Sequence, residues 1–381
     1  MSSKRFVLLD GFRGLAAIYV VMSHVAGESF PALYQGNLRV DFFFVLSGFV
    51  LQNRVPKYDS EGWSSARAFI RMRFFRIWPM LITVLIARLV IMSIWSLTHS
   101  GQGIEEFGIK DFPTSFLAAL LLLQIFVPTA LEWSDPLWSL SAEWFMNIWM
   151  GVTGALWAMF GLKPRKAKNG GTQVADLDPE KLSAKVRNLI AEQAVWIGGF
   201  TFGYVCLLIG SLHPDTPVNI GWAALGRALV AFSLGGMVRQ IHGHFNRRFN
   251  SLRFTFACLL TIGIFAIQIV LHRSALPIAA LVLAFFVLEV VTIDESKVPV
   301  PILRACSFMG AMSFGVYAWH NNMIKIISIH ALPGINLNAG HQSILQASGL
   351  VLLVIIMSVI ATKLTNRFIE KPIQSRWAKP R

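Results

Sequence analysis

Long apolar runs alternate along the chain with short polar segments that hold most of its charge. A helix needs about 20 residues to cross the hydrocarbon core of a bilayer. The runs predict ten transmembrane helices near residues 6–27, 38–53, 78–98, 137–161, 193–212, 219–238, 254–272, 275–293, 306–329 and 344–364. A further apolar stretch, 114–131, is interrupted by Pro128 and predicts a re-entrant or interfacial segment. The pattern is that of an all-α polytopic membrane protein.

Basic residues are concentrated in alternate loops, which predicts the orientation of the helices. Most of the 34 Lys and Arg residues lie at the N-terminus and in 54–76, 163–187, 239–253 and 363–381. By the positive-inside rule these segments and both termini are cytoplasmic. The number of crossings before 163–187 must then be even, so one of five stretches does not cross: 114–131 or, alternatively, 137–161. We expect one membrane domain over 1–381, with a cytoplasmic connector at 163–190.

Overall composition excludes several classes of protein. Hydrophobic residues make up 55% of the chain and charged residues only 14%, against about 25% charged in a soluble domain. The net charge of +14 therefore marks the cytoplasmic face and does not indicate nucleic-acid binding. Cys206, Cys258 and Cys306 lie far apart in or beside apolar runs, which gives neither a disulfide framework nor a metal spacing. We expect no metal and no tightly bound cofactor.

The first predicted helix carries three ionisable residues, and such residues inside a membrane indicate function. Arg13 and His24 are 11 positions apart, so they share a face at about 16 Å along the helix axis. Asp10 is three positions before Arg13, close enough to form a structural pair with it. The alternative is a buried Asp10–Arg13 pair with a solvated His24 at the helix end.

Two carboxylates are predicted at the same depth as His24, toward the outer side of the membrane. Asp41 begins the second predicted helix, and Glu143 lies about two turns inside the span that starts at 137. Either carboxylate is a candidate to orient the imidazole of His24, as carboxylates do beside catalytic histidines. Asp41 also suits the N-terminal cap of its helix. We therefore take His24, Asp41 and Glu143 as candidate catalytic residues.

Two further groups of residues are candidates for substrate contact. Arg71, Arg73 and Arg76 follow one another on the cytoplasmic side, where guanidinium groups bind either the phosphates of a ligand or lipid headgroups. The ninth predicted helix has several polar residues near its middle. An aromatic belt at the membrane surface would explain Tyr317 and Trp319 but not the polar residues that follow them. The candidate substrate-binding residues of this helix are Tyr317, Trp319, His320 and Asn321.

In these motifs the chain resembles acyltransferase family 3, the bacterial inner-membrane O-acyltransferases that modify surface sugars. The matching motifs occur in the family's order at 9–17 with His24, 40–49, 71–73, 138–143 and 313–320. The resemblance extends from about residue 6 to residue 372. It departs from the commoner family pattern at Trp144, where a second acidic residue is usual.

The resemblance implies a multi-pass inner-membrane enzyme that moves an acyl group, typically acetyl, from cytoplasmic acyl-CoA to a hydroxyl of a carbohydrate or glycolipid acceptor. It places the arginine–histidine motif on Arg13 and His24 and the arginine pair on Arg71 and Arg73. We expect Arg71, Arg73 and Arg76 to hold the CoA phosphates and Arg13 to line the passage of the donor. Many members carry a fused periplasmic hydrolase-like domain, which this sequence lacks. Any second stage of transfer would then need a separate periplasmic transferase partner. The alternative function is a transporter or flippase for lipid-linked sugars, since such proteins also carry intramembrane charges.

Overall fold

The computed structural model is helical wherever it describes regular structure, and it has no strand among the described residues. The described residues are 5–27, 29–30, 33, 38–52, 63–98, 111–159, 179–212, 219–244, 249–271, 276–328 and 343–377.

Twelve α-helices lie within those ranges. They are α1 (Val7–Ala26), α2 (Leu38–Leu51), α3 (Trp63–Thr98), α4 (Phe112–Leu120), α5 (Leu137–Met159), α6 (Pro179–Ser211), α7 (Gly221–His244), α8 (Ser251–Leu271), α9 (Leu276–Val290), α10 (Val300–Ile326), α11 (Ile344–Thr365) and α12 (Lys371–Trp377). Short 3₁₀ helices occupy Pro128–Trp133 and Glu295–Lys297, and a π-helical turn, Asn366–Glu370, joins α11 to α12.

Each of the ten predicted spans coincides with one of these helices, which confirms an all-α membrane protein. Six helices in the described part of the chain are long and apolar enough to cross a bilayer, namely α1, α3, α6, α7, α10 and α11 with its extension. Helices α8 and α9 are apolar but shorter over their described side chains. The number of ten crossings stays a prediction.

The stretch 114–131 does not form a spanning helix. Helix α4 ends at Leu120 after nine residues, about 14 Å at the helical rise. A turn with Leu122 at φ 57° and the 3₁₀ helix at Pro128–Trp133 follow. By contrast, 137–159 is one continuous helix, so the helix lengths favour the first of the two alternatives for the stretch that does not cross.

Two segments differ from the prediction. Helix α3 begins at Trp63 and runs through Pro79, so the arginine-rich segment is helical rather than a loop; its Arg, Met and Ala residues are good helix formers. The connector predicted at 163–190 lies outside the described residues up to 178. Its last part is helical, because α6 begins at Pro179.

The helices that carry the candidate residues pack closely in pairs. Helix α1 lies against α10, and α2 lies against α7, which also packs on α6. Glycines permit the close approach: a Cβ at Gly48 would collide with the backbone oxygen of Phe232, and one at Gly235 with that of Val45. At these two positions the backbones of α2 and α7 are in direct contact.

Candidate active site

Asp10 and Arg13 form the ion pair that their spacing predicts. Asp10 Oδ1 lies 3.2 Å from Arg13 Nη2, and Asp10 Oδ2 lies 2.7 Å from Arg5 Nε. The Arg13 guanidinium also donates from Nε to Ser313 Oγ at 2.9 Å and from Nη2 to the Gly310 carbonyl at 2.6 Å. Arg13 is therefore tied to α10, with Asp10 as its counter-charge.

His24 lies near the C-terminal end of α1 and is exposed. The centroid of its ring is 5.2 Å from that of His320 on α10. His320 is completely buried, and its Nδ1 is 2.7 Å from the backbone oxygen of Tyr317. Because Arg13 and His24 both approach α10, their contacts confirm the predicted shared face.

Asp41 does not contact His24, and the predicted pairing is wrong. Its carboxylate accepts from Arg227 Nε at 2.7 Å and from Nη2 at 3.2 Å, and both side chains are 1% exposed. The guanidinium of Arg227 also lies 5.3 Å from the centroid of the Trp138 ring. The physical reason is that a buried arginine on α7 needs an opposite charge, and Asp41 supplies it.

Glu143 is likewise paired with an arginine and not with His24. Its Oε1 accepts a hydrogen bond from Arg73 Nη2, and Arg73 Nε donates to Asn147 Oδ1 at 3.1 Å. Glu143 and Asn147 lie one turn apart on α5 and face α3 together. Glu143 therefore holds the side chain of Arg73, on α3, against α5.

The three arginines predicted to bind donor phosphates do not act as one group. Arg73 points into the helix bundle, with 16% of its side chain exposed. Arg71 and Arg76 are exposed. Arg76 Nη1 lies 3.8 Å from Glu370 Oε2, and its guanidinium is 5.3 Å from the ring centroid of Phe314. Arg71 and Arg76 are therefore the members of the trio that an incoming anion can reach.

The polar residues predicted on the ninth span have different surroundings. Tyr317 Oη lies 2.7 Å from Ser139 Oγ and donates to the Pro136 carbonyl at 2.7 Å. Trp319 Nε1 donates to Thr365 Oγ1 at 3.2 Å, on the side of α11. Tyr317 and Trp319 thus join α10 to its neighbours. Asn321 is half-buried.

Arg39 on α2 was not among the sequence candidates, yet it adjoins the histidines. Its Nη1 donates to the Tyr19 carbonyl at 2.5 Å, and its guanidinium lies 4.2 Å from the Tyr19 ring centroid. It is close enough to interact electrostatically with both His24 and His320. Arg39 also lines an otherwise apolar cavity of about 270 Å³ between α1, α2, α8 and α9.

Sequence reasoning also missed Arg227 and Asn147. Arg227 lies among apolar residues of a predicted span, and a charged residue in that position was the signal that could have found it. Asn147 follows Glu143 by one helical turn, a spacing that places both on one face. Arg39 falls at a helix end, where a charge is unremarkable in sequence.

A family model described as an acyltransferase domain matches residues 6–363, nearly the whole chain. The chain belongs to this acyltransferase family. The acyltransferase is 32% identical over 156 residues to "Protein 2 in picA locus" of Rhizobium radiobacter, a match that covers 38% of this chain and 80% of the relative. It is also 32% identical over 154 residues to "Acyltransferase MdmB" of Streptomyces mycarofaciens, covering 36% of each chain. No solved structure matches it significantly.

The family establishes the class of activity. The resemblance seen in the motifs is confirmed, and the protein is a membrane acyltransferase. The candidate site combines the exposed His24 with His320, which is buried beside it. Arg13, nearer the N-terminus of α1, is hydrogen-bonded to the same helix as His320, namely α10. An imidazole is a suitable proton acceptor or nucleophile for acyl transfer to a hydroxyl.

Proposed function

We propose that this acyltransferase moves an acetyl group from cytoplasmic acetyl-CoA to a hydroxyl of a carbohydrate or glycolipid acceptor at the outer side of the bacterial inner membrane. The observation that carries the proposal is the course of α1. One continuous helix holds Arg13 near its N-terminal end, which is predicted to be cytoplasmic, and exposes His24 near its other end, and both residues face α10. The two ends of α1 would thus serve the donor and the acceptor.

The exposed arginines would bind the acetyl-CoA donor. Guanidinium groups bind phosphate oxygens through paired, charge-assisted hydrogen bonds, and CoA carries several phosphates. Arg71 and Arg76 lie on α3 within two turns of each other and are accessible. Arg76 and Glu143 are also close enough to Arg13 to interact with it electrostatically. Arg76 and Arg13 would therefore contribute to one region of positive charge on the donor side.

His24 would act on the acyl group in one of two ways. As a general base, it takes the proton of the acceptor hydroxyl while the oxygen bonds to the thioester carbonyl carbon. The carbon–sulfur bond then breaks, and the CoA thiolate takes the proton back from His24. As a transient carrier, a His24 nitrogen attacks the thioester carbonyl carbon, and the carbon–sulfur bond breaks to release the CoA thiolate. The acceptor oxygen then bonds to the acyl carbon, the carbon–nitrogen bond to His24 breaks, and the hydroxyl proton goes to the thiolate.

Transfer to an acceptor beyond the membrane surface would need a periplasmic transferase that carries the acyl group onward. Direct transfer to a lipid-linked sugar would need none, because such an acceptor lies in the membrane beside the enzyme.

The test is transfer of label from radiolabelled acetyl-CoA in inverted membrane vesicles that contain the cell's own glycolipids and glycans. His24→Ala should abolish transfer while the protein remains folded and inserted. His242→Ala is a matched control, because His242 lies on α7, where its ring packs on Phe6 at 5.8 Å between centroids. Full activity of His24→Ala would refute the role of His24, and no transfer by the unmodified protein would refute the acetyl donor.

A further inference from the structure

A histidine that acts as base or nucleophile needs a partner that fixes its tautomer. The acting nitrogen must carry a lone pair, so the other nitrogen must carry the proton and donate it to a neighbouring acceptor. Asp41 and Glu143 do not fill this position, because Arg227 and Arg73 bind them. The side chain that the structure places beside His24 is His320.

The hydrogen bond of His320 to the backbone determines its own tautomer. Its Nδ1 lies 2.7 Å from the Tyr317 carbonyl oxygen. A carbonyl oxygen can only accept, so Nδ1 carries the hydrogen. In a neutral imidazole, Nε2 is then an acceptor with a free lone pair. This Nε2 is buried and has no hydrogen-bond partner within the described part of the chain, and an unused buried acceptor calls for a donor.

The nearest candidate donor is the ring of His24. The centroids are 5.2 Å apart, and the ring planes are tilted by 49°. That separation accommodates an N–H···N hydrogen bond of about 3 Å once the rings turn toward each other. Catalytic hydrogen bonds often tighten only when substrate binds. His24 is exposed and His320 is 0% exposed, so substrate meets His24 with His320 behind it.

We propose that His320 is the positioning residue for His24. Its Nε2 accepts the N–H of one His24 nitrogen and leaves the lone pair of the other directed at the acyl group or hydroxyl. The backbone oxygen of Tyr317 holds His320 in turn. The inference rests on the proposed function of His24, and it assigns to an imidazole the role that a carboxylate has in many catalytic triads.

Two substitutions at His320 separate this role from simple packing. His320→Leu fills the space without an acceptor. His320→Gln keeps one, because the amide can donate to the Tyr317 carbonyl while its oxygen accepts from His24. We expect His320→Leu to lower kcat for acetyl transfer about 100-fold or more with the KM for acetyl-CoA changed less than about twofold. His320→Gln should recover much of the loss, and His242→Leu should match the unmodified protein.

The assay uses radiolabelled acetyl-CoA and a glycolipid and glycan extract of the cell envelope as the acceptor probe. No transfer by the unmodified protein would refute the proposed function. Normal transfer by His320→Leu, or a His320→Gln enzyme as slow as His320→Leu, would overturn the positioning role alone.

A second measurement determines the tautomer of His320 directly in the unmodified protein. In the nitrogen NMR spectrum of ¹⁵N-histidine-labelled protein, His320 should show a protonated Nδ1 and an unprotonated Nε2. Its signals are assigned by their absence from His320→Gln. The opposite tautomer would overturn the inference.

Discussion

Asp41 and Arg227 form an ion pair that is shut off from solvent, with Asp41 Oδ1 2.7 Å from Arg227 Nε and 1% of each side chain exposed. The pair joins α2 to α7, and Arg227 also reaches the face of Trp138 on α5. Asp41 is therefore a residue that organises three helices around the site. Removing one member leaves the other charge buried without compensation.

Asp41→Leu and Arg227→Leu should each reduce the free energy of unfolding by about 3–5 kcal/mol, because each leaves a lone buried charge. The double variant should regain most of that loss. The measurement is the thermal midpoint of purified protein in detergent. A double variant that is less stable than both single variants would show that the pair is not the main function of these charges.

Arg71→Ala combined with Arg76→Ala should raise the KM for acetyl-CoA at least about tenfold, because hydrogen bonds between charged groups contribute about 1.5–3 kcal/mol each. The effect on kcat should be small. Initial rates across a range of acetyl-CoA concentrations provide the measurement, with Arg304→Ala on α10 as the control, because Arg304 is an exposed arginine on another helix. A KM equal to that of the unmodified protein would contradict donor binding and would mean that these arginines serve only to set the orientation of α3 in the membrane.

Arg73 should behave differently from Arg71 and Arg76. Because it is bonded to Glu143 and Asn147, Arg73→Ala and Glu143→Ala should both lower the thermal midpoint. Their effects should not add: a double-mutant cycle should give a coupling of about 1–3 kcal/mol. Additive effects would mean that the two residues act independently.

Tyr317→Phe tests the contact between α10 and α5. It removes the hydroxyl that donates to the Pro136 carbonyl and lies beside Ser139 Oγ. We expect a loss of about 0.5–1.5 kcal/mol, the net contribution of a typical hydrogen bond, because Ser139 Oγ still donates to the Pro136 carbonyl at 3.2 Å. Ser139→Ala should cost less, since Tyr317 keeps its bond to Pro136. Thermal midpoints measured in parallel decide the order, and a larger loss for Ser139→Ala would contradict it.

The helices could be predicted because a membrane span is specified locally, by the length and apolarity of a single run. The pairing of Asp10 with Arg13 is local in the same way, since both lie on one turn. The partners of Asp41 and Glu143 were not predictable on this basis. The arginine that pairs with each carboxylate is determined by how two separate helices pack together, and helix packing depends on the shapes of whole faces.

The case of His24 shows the same limit. Its spacing from Arg13 correctly predicted a shared face, because helical geometry relates the two positions. Its neighbour on α10 is 296 positions away in the chain, and a run of polar residues at mid-helix only indicated that this part of α10 was unusual. The motif showed which residues matter, and the structure was needed to show which of them meet.

Glycines at the α2–α7 contact have a consequence for motion. Gly48 and Gly235 bring the two backbones into direct contact, so at these two positions no side chain can change its rotamer to let one helix slide past the other. Packed interfaces of this kind shift between discrete arrangements or not at all. Because the Asp41–Arg227 pair joins the same two helices, we expect α2 and α7 to move together as one body. We expect any opening that admits an acceptor to come from other helices.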